Sequence, residues 1–246
     1  CYREVKRSIE NAVFQPYLLH GVTGSGKTEI YLRSIQLVLN LNRSAVMVVP
    51  EISLTPQTVE RFRQRFGDQV AVLHSGLTQK ERFYEWKKIR DEKVSIAIGA
   101  RSAIFAPFKN LGIIVIDEEH DTSYKQDSSP RYHARDSAII RAQKQSAVVL
   151  LGSATPSLES IKNAERGKYH YLSLENRVHN RLLPIVKVIN MKEEMDFKKN
   201  FSIFSTPLKR AIFDRIKRGE QIFLFLNRRG TANYIFCKEC SFVFEC

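Results

Sequence analysis

Gly21-Val22-Thr23-Gly24-Ser25-Gly26-Lys27-Thr28 is the stretch on which the fold turns, with the apolar run Tyr17–His20 before it and Glu29–Arg33 after it. Strand, glycine-rich loop and helix in that order form a phosphate-binding loop. The glycines let the backbone curl until its N–H groups point inward at a polyphosphate, and the helix N-terminus adds positive potential. Lys27 can then reach the β- and γ-phosphates, and the Thr28 hydroxyl can ligate magnesium. A plain turn before a helix would explain the glycines but not the lysine–threonine pair in this setting. The octapeptide therefore predicts a nucleoside triphosphate site at Gly21, Val22, Thr23, Gly24, Ser25, Gly26, Lys27 and Thr28.

Outward from the loop, β-rich runs alternate with helical ones. Strands are predicted at Tyr17–His20, Ala45–Val49, Val70–Leu73, Val94–Gly99, Gly112–Asp117, Ala147–Gly152 and Tyr169–Leu174. Helices are predicted at Lys27–Leu41, Thr55–Phe66, Gln79–Asp91, Ala134–Gln145 and Ser157–Arg166. Alternation of this kind implies a parallel sheet covered on both faces, and the unbroken apolar run before Asp117 suits a strand buried on both sides. Regularity fades over 175–205, which reads as a connector. A second α/β pattern opens with a helix at Thr206–Arg218 and a strand at Gln221–Leu226. The predicted organisation is thus 1–174, a connector 175–205, and the start of a second domain at 206–246.

The run Ile113–His120 ends an apolar strand in Asp117-Glu118-Glu119-His120. Acids at a strand's carboxyl end sit where an α/β sheet binds its ligand. Asp117 can hold magnesium through water, and Glu118 is placed to orient and deprotonate an attacking water. Gly152-Ser153-Ala154-Thr155-Pro156 follows another apolar strand and can hydrogen-bond those acids; alone it is equally a turn into a helix. Tyr124, Lys125, Arg131, Tyr132, His133 and Arg135 lie just beyond the acidic turn. Rings stack on bases and cations hold phosphates, although a surface loop has the same composition. Pro50–Thr55 and Gly99–Ser102 fall at strand ends, where backbone N–H groups, hydroxyls and Arg101 suit phosphodiester contact; Ser53 or Thr55 suits a helix cap equally.

The 246 residues carry 39 Lys and Arg against 26 Asp and Glu, a formal charge of +13 that favours a polyanionic partner. No apolar run approaches the ~20 residues of a membrane span, and no membrane partner is predicted. The chain opens on Cys1 rather than Met, so a piece of a longer protein is expected. Three of the four cysteines, Cys237, Cys240 and Cys246, crowd the last ten residues, which favours a metal site in a reducing cytoplasm over a disulfide framework. Zinc needs four ligands, so the set is expected to be incomplete.

Taken together these motifs resemble the first motor domain of superfamily 2 helicases. The match narrows through LLHGVTGSGKTEIYL at 18–32, VPEISLTPQ at 49–57, LHSGLTQKER at 73–82, GARSAIFAPFKNLGIIVIDEEHD at 99–121, YKQDSSPRYHARD at 124–136, GSATPSLES at 152–160 and LNRRG at 226–230. These resemble the primosomal protein N′ family of bacterial replication-restart DNA helicases; Thr231 departs from the Tyr expected there.

The resemblance implies a RecA-like P-loop NTPase domain, a parallel sheet flanked by helices, plus the start of a second such domain with an incomplete zinc module. It implies ATP and Mg²⁺ as cofactors, two Zn²⁺ ions in the parent protein, and nucleotide contacts from Asp117, Glu118, Glu119 and His120. His120 would link the acids to Ser153 and Thr155. Arg101, Ser102, Tyr124, Lys125, Arg131, Tyr132 and His133 would contact DNA or couple it to hydrolysis. Branched forks and single strands, primosome proteins and single-strand-binding protein are the implied partners, in the bacterial cytoplasm at the nucleoid, with 3′-to-5′ movement. This chain alone is expected to bind nucleotide with weak turnover and little tight zinc, the later motor motifs lying beyond it. The alternatives are another superfamily 2 motor, a repair translocase or RNA helicase, and a nucleotide- and DNA-binding module without catalysis.

Overall fold

A computed structural model describes residues 1–178, 184–196, 199–200 and 202–225, with the backbone of 235–236 and 243–244. The chain divides into two compact units, Cys1–Leu183 and Pro184–Cys246.

The first unit is built on a parallel sheet of seven strands: β1 (Gln15–Gly21), β2 (Ser44–Val48), β3 (Val70–Leu73), β4 (Ile96–Gly99), β5 (Leu111–Ile116), β8 (Val148–Ser153) and β9 (His170–Leu174). Their spatial order is β3-β4-β2-β5-β8-β1-β9. Strands β2 to β5 and β8 are apolar and almost wholly buried, because helices cover both faces. Two cores result, one per face. Leu18, Val46, Val48, Ile114, Ile116, Val149 and Leu151 point one way, while Tyr17, Leu19, Ala45, Met47, Ile113, Val115 and Leu150 point the other. This is the period-two alternation of a strand sandwiched between helix layers.

The covering helices are α1 (Tyr2–Glu10), α2 (Lys27–Asn40), α3 (Pro56–Phe66), α4 (Gln79–Arg90), α5 (Ala134–Lys144) and α6 (Leu158–Glu165). Local chemistry sets their starts. Thr55 caps α3 ahead of Pro56, Ser157 caps α6, and Thr78 with Glu81 forms a reciprocal capping box on α4. Thr55 rather than Ser53 is therefore the cap. Helix α1, absent from the sequence reading, is held by Val5 and Ile9, both buried, and by the Tyr17 hydroxyl, which lies 2.7 Å from Ser8 Oγ and donates to the Glu4 carbonyl. A short hairpin, β6 (Lys125–Gln126) with β7 (Tyr132–His133), follows the acidic turn.

The second unit contains α7 (Met191–Asp196), which falls inside the predicted connector, and α8 (Thr206–Lys217), capped by Ser205. Buried Glu194 accepts the Thr206 amide at 2.6 Å and an Asn200 side-chain N–H, tying the two helix starts together. An antiparallel pair, β10 (Ile235–Phe236) and β11 (Val243–Phe244), follows. The predicted strand at Gln221–Leu226 is not formed over the described residues 221–225. A strand needs a hydrogen-bonded neighbour; these residues have none among those described, and Phe223 and Phe225 lie exposed.

Candidate functional site

In the sheet order, β8 lies between β5 and β1. Three predicted motifs therefore open at neighbouring strand ends: the acidic turn after β5, the Ser-Ala-Thr turn after β8, and the phosphate loop after β1. Register brings Leu19 opposite Gly152 and His20 opposite Ser153.

The loop residues Gly24 and Gly26 adopt φ of 80° and 93°, the left-handed region that glycine enters without steric cost. Gly26 is also the N-cap of α2, and no side chain caps that helix. Its first-turn amides are thus left for a ligand. Within the loop the Ser25 amide donates to the Val22 carbonyl at 3.0 Å, while Ser25 Oγ is buried without a hydrogen-bond partner among the described residues. An orphaned hydroxyl, uncapped amides and two left-handed glycines fit an anionic polyphosphate. Lys27 is buried and donates from Nζ to the Gly21 carbonyl at 2.8 Å, whereas Val22 is half-buried and Thr23 and Thr28 are exposed. Past β9, the Val178 amide donates to the Gly24 carbonyl at 3.0 Å, so that segment lies against the loop.

Asp117 is gripped from three sides. The Tyr31 hydroxyl of α2 donates to Asp117 Oδ1 at 3.0 Å, the Asp117 amide donates to the Val48 carbonyl, and the Tyr124 hydroxyl donates to the Asp117 carbonyl at 2.5 Å. Burial, and then the charge of Glu118, raise the Asp117 pKa; the Tyr31 hydrogen bond and the charge of Lys27 pull the other way. Burial beside that carboxylate also drives the Tyr31 and Tyr124 phenols far above their ordinary value, so both remain donors. Tyr31, fully buried, was missed in the sequence. Its only signal is a polar-tipped aromatic four residues after Lys27, on the face of α2 that turns inward. Gly152 completes this arrangement: a Cβ there would lie 1.6 Å from the Tyr31 hydroxyl.

Glu118 holds φ at 46°, an uncommon backbone for a non-glycine residue. It is half-buried, with its carboxylate 3.7 Å from His120 Nδ1. His120 Nδ1 lies 2.7 Å from Ser153 Oγ, and Nε2 lies 3.4 Å from Thr155 Oγ1; the Thr155 amide donates to Ser153 Oγ at 2.9 Å. The ring therefore bridges the acidic turn and the turn after β8.

Other expected residues take different positions. Glu119, expected at the nucleotide, is buried away from the loop; it accepts from Arg135 Nη1 at 3.0 Å, the Ser157 amide at 2.7 Å and Ser160 Oγ at 2.7 Å. Arg135, read as a phosphate contact, is buried in the same cluster. Burial acts to lower its pKa, but the hydrogen bond and charge of Glu119, with the charges of Asp136 and Tyr169, together raise it. Tyr124 is fully buried, so its ring stacks on no base; its hydroxyl braces the end of β5. These positions share one cause: the acidic turn packs against the segment after β8, the Glu119 amide donating to the Gly152 carbonyl, and whatever points inward there must be satisfied internally.

His133 caps α5 by accepting the Arg135 amide, and burial, then the Arg135 charge, lowers its pKa. Arg101 Nη1 donates to the carbonyls of Ser123 and Lys125, and its guanidinium lies 5.8 Å from the Tyr132 ring centre. Ser102, Lys125 and Arg131 are exposed on this side of the sheet edge, and Tyr132 is half-buried. Cys237, Cys240, Cys246 and the LNRRG stretch at 226–230 lie outside the described residues.

A DEAD/DEAH box helicase family profile matches residues 5–164. The replication restart protein PriA of Bacillus subtilis is 51% identical over 246 residues, covering 100% of this chain and 30% of that protein. PriA of Haemophilus influenzae is 49% identical, covering 95% of the chain and 31% of that protein. The chain thus spans about a third of the length of these relatives. Among solved structures, RecG bound to a three-way DNA junction is similar with TM-score 0.55 and 21% identity, over 89% of this chain and 28% of that one. The Hef helicase domain of Pyrococcus furiosus is similar with TM-score 0.50 and 20% identity, over 73% of this chain and 38% of that one. Both support the RecA-like fold.

Proposed function

The chain belongs to the DEAD/DEAH box helicase family, and we propose that it is the ATP-binding lobe of a DNA helicase that remodels stalled replication forks and starts primosome assembly for replication restart. The observation that carries this reading is the meeting, at adjacent strand ends, of the Gly21–Thr28 loop, an Asp117 held by Tyr31, and a His120 bridge to Ser153.

In this reading the uncapped amides of α2 and Ser25 Oγ bind the phosphates, and Lys27 exchanges the Gly21 carbonyl for the β- and γ-phosphate oxygens. Thr28 and Asp117 would hold magnesium, which supplies charge neutralisation at the β–γ bridge when bound. Glu118 orients a water and takes its proton, with His120 fixing the turn that carries it. The Ser153 and Thr155 hydroxyls, reached through His120, report the state of the site to the sheet edge where Arg101, Ser102, Lys125, Arg131 and Tyr132 meet DNA. Transmission of nucleotide state to DNA needs such a shared element, and the His120 side chain touches both turns.

The remaining parts of the reading concern the full-length protein: branched forks and single strands as substrate, primosome proteins and single-strand-binding protein as partners, two zinc ions involving Cys237, Cys240 and Cys246, and action in the bacterial cytoplasm at the nucleoid. They rest on the likeness to the replication restart proteins. Among the described residues, no helix is long and apolar enough to cross a membrane.

The test is ATP turnover by the full-length protein with and without forked DNA, beside Lys27→Ala. DNA-stimulated turnover that Lys27→Ala lowers by about 100-fold or more is expected, as for loss of a principal transition-state charge contact. Turnover indifferent to DNA, or to the loss of Lys27, would overturn the reading.

A further inference from the structure

Helix α4 makes little use of its surroundings. Of its twelve residues only Ile89 is buried, and Phe83 and Tyr84 are 60% and 61% exposed, with Trp86 at 37%. A helix flanking the edge strand β3 would ordinarily turn such rings inward. Instead Phe83 and Trp86 stack on each other at 6.4 Å with planes 22° apart, Lys88 lies 4.6 Å above the Tyr84 ring, and the Arg90 guanidinium lies 5.2 Å from Trp86.

The charges around these rings are unequally occupied. Glu81 is held in the capping box of Thr78, and Glu85 accepts the Val72 amide and pairs with Lys88 at 2.6 Å. Asp91 pairs with Arg90. Lys80, Arg82 and Lys87 have no carboxylate at ion-pair distance among the described residues. The helix thus presents three rings and three unpaired cations, and no free acid of its own.

The patch is also continuous with the sheet edge read above as the DNA side. A shallow cleft of about 190 Å³ is lined by Arg82 and Trp86 from α4, His74 from the end of β3, and Ser102 and Phe105 from the turn after β4. Phe105 is 57% exposed and packs edge-on against Tyr132 at 4.9 Å, and Tyr132 carries the Arg101 guanidinium. Phe105 therefore faces Trp86 across this cleft, Trp86 stacks on Phe83, and Tyr84 lies next to Phe83 on the side of α4 that looks towards Arg63 of α3.

We propose that Phe105, Trp86, Phe83 and Tyr84, with Arg82, Lys80 and Lys87, form a stacking track that carries single-stranded nucleic acid from the sheet edge onto the outer face of α4. Alternating π-faces and phosphate-holding cations suit a strand whose bases are unpaired, and every base has a π-face, so the track reads no sequence. A duplex buries its base faces and would meet only the cations. An acidic polypeptide would use the cations but would not explain four exposed or half-exposed rings beside them. The inference rests on the assignment of the sheet edge to DNA.

Trp86 is the single tryptophan of these 246 residues and sits at the centre of the track, so this chain carries its own probe. A dT oligonucleotide is titrated while its anisotropy and the Trp86 emission are both followed. Quenching that saturates with the anisotropy curve is expected, as is about 10-fold weaker binding on Phe83→Ala or Tyr84→Ala. Both substitutions fall on exposed rings, and nucleotide binding serves as the check that the fold persists. Duplex DNA is expected to leave Trp86 emission unchanged. Oligonucleotide binding with unchanged Trp86 emission and no response to Phe83→Ala would overturn the track while leaving the DNA assignment intact, and would give these rings to a polypeptide instead. Absence of any oligonucleotide binding would remove both.

Discussion

A methyl group at position 152 should unseat the acid at the centre of the nucleotide site. In Gly152→Ala the new Cβ would lie 1.6 Å from the Tyr31 hydroxyl oxygen and 2.7 Å from the ring carbon that bears it. Nothing in the Gly152 backbone forbids alanine, since it does not lie in the left-handed region. The conflict is with a fully buried ring. Overpacking of that kind costs about 1–3 kcal/mol. Displacing Tyr31 also breaks its 3.0 Å hydrogen bond to Asp117, and a bond to a charged group in a buried setting is worth about 1.5–3 kcal/mol. One displacement causes both losses, so they overlap rather than add, and about 3 kcal/mol is expected. That corresponds to a fall on the order of 10 °C in the melting temperature of the first unit, followed by Trp86 emission. Tyr31→Phe alone should cost about 2 kcal/mol through the hydrogen bond. The double variant should cost clearly less than the sum, because the atom that clashes most severely has gone and only the 2.7 Å approach to the ring carbon remains. Strict additivity, or a Gly152→Ala cost below about 1 kcal/mol, would refute the argument.

Three further outcomes follow from the same geometry. Asp117→Asn keeps the acceptor for Tyr31 and removes a carboxylate whose folded pKa is raised by burial, then by Glu118; an acid shifted upward costs stability above its folded pKa, so the variant should melt higher at neutral pH while losing ATP hydrolysis, and a lower melting temperature would contradict this. Arg135→Ala leaves Glu119 buried and unpaired, a loss of about 3–5 kcal/mol in urea unfolding, which Arg135→Lys should restore only in part because it lacks the fork. His133 caps α5 through its unprotonated Nδ1, and burial, then Arg135, lowers its pKa. The unfolded chain therefore takes the proton first, so stability is full above the ordinary histidine range and falls as pH drops through it. His133→Asn retains a cap acceptor and should flatten that part of a melting-temperature profile between pH 7.5 and 5; an unchanged slope would dismiss the cap as its source.

Much of the site was legible because its chemistry is local. Gly24, Gly26, Lys27 and Thr28 work through backbone conformation and helix start, which neighbouring residues specify. Asp117 and Glu118 follow an apolar strand, so their place at the carboxyl edge was readable from periodicity alone. Arg135 and Glu119 were read toward ligand and DNA, and Tyr124 toward DNA contact or coupling, whereas the structure buries all three. Nothing in their order says that these side chains turn inward, where Ser157, Ser160 and the Asp117 carbonyl accept or donate to them. The same blindness hid α1, which buries Val5 and Ile9 and meets the Tyr17 hydroxyl, and overstated the strand at 221–225.

The sequence by itself determined that strands and helices alternate, that a phosphate loop joins the first such pair, and that acids and small hydroxyl residues close two later strands. These are properties of spacing and of a few backbone-controlling residues. Only the tertiary structure decided which polar side chains meet. The order of strands places β8 between β5 and β1, which makes Gly152 the floor beneath Tyr31 and lets Tyr31 reach Asp117 across 86 residues of chain. It likewise decided that the rings of α4 face solvent. A helix at a sheet edge has one neighbour to pack against, and the strand order is what put α4 at that edge.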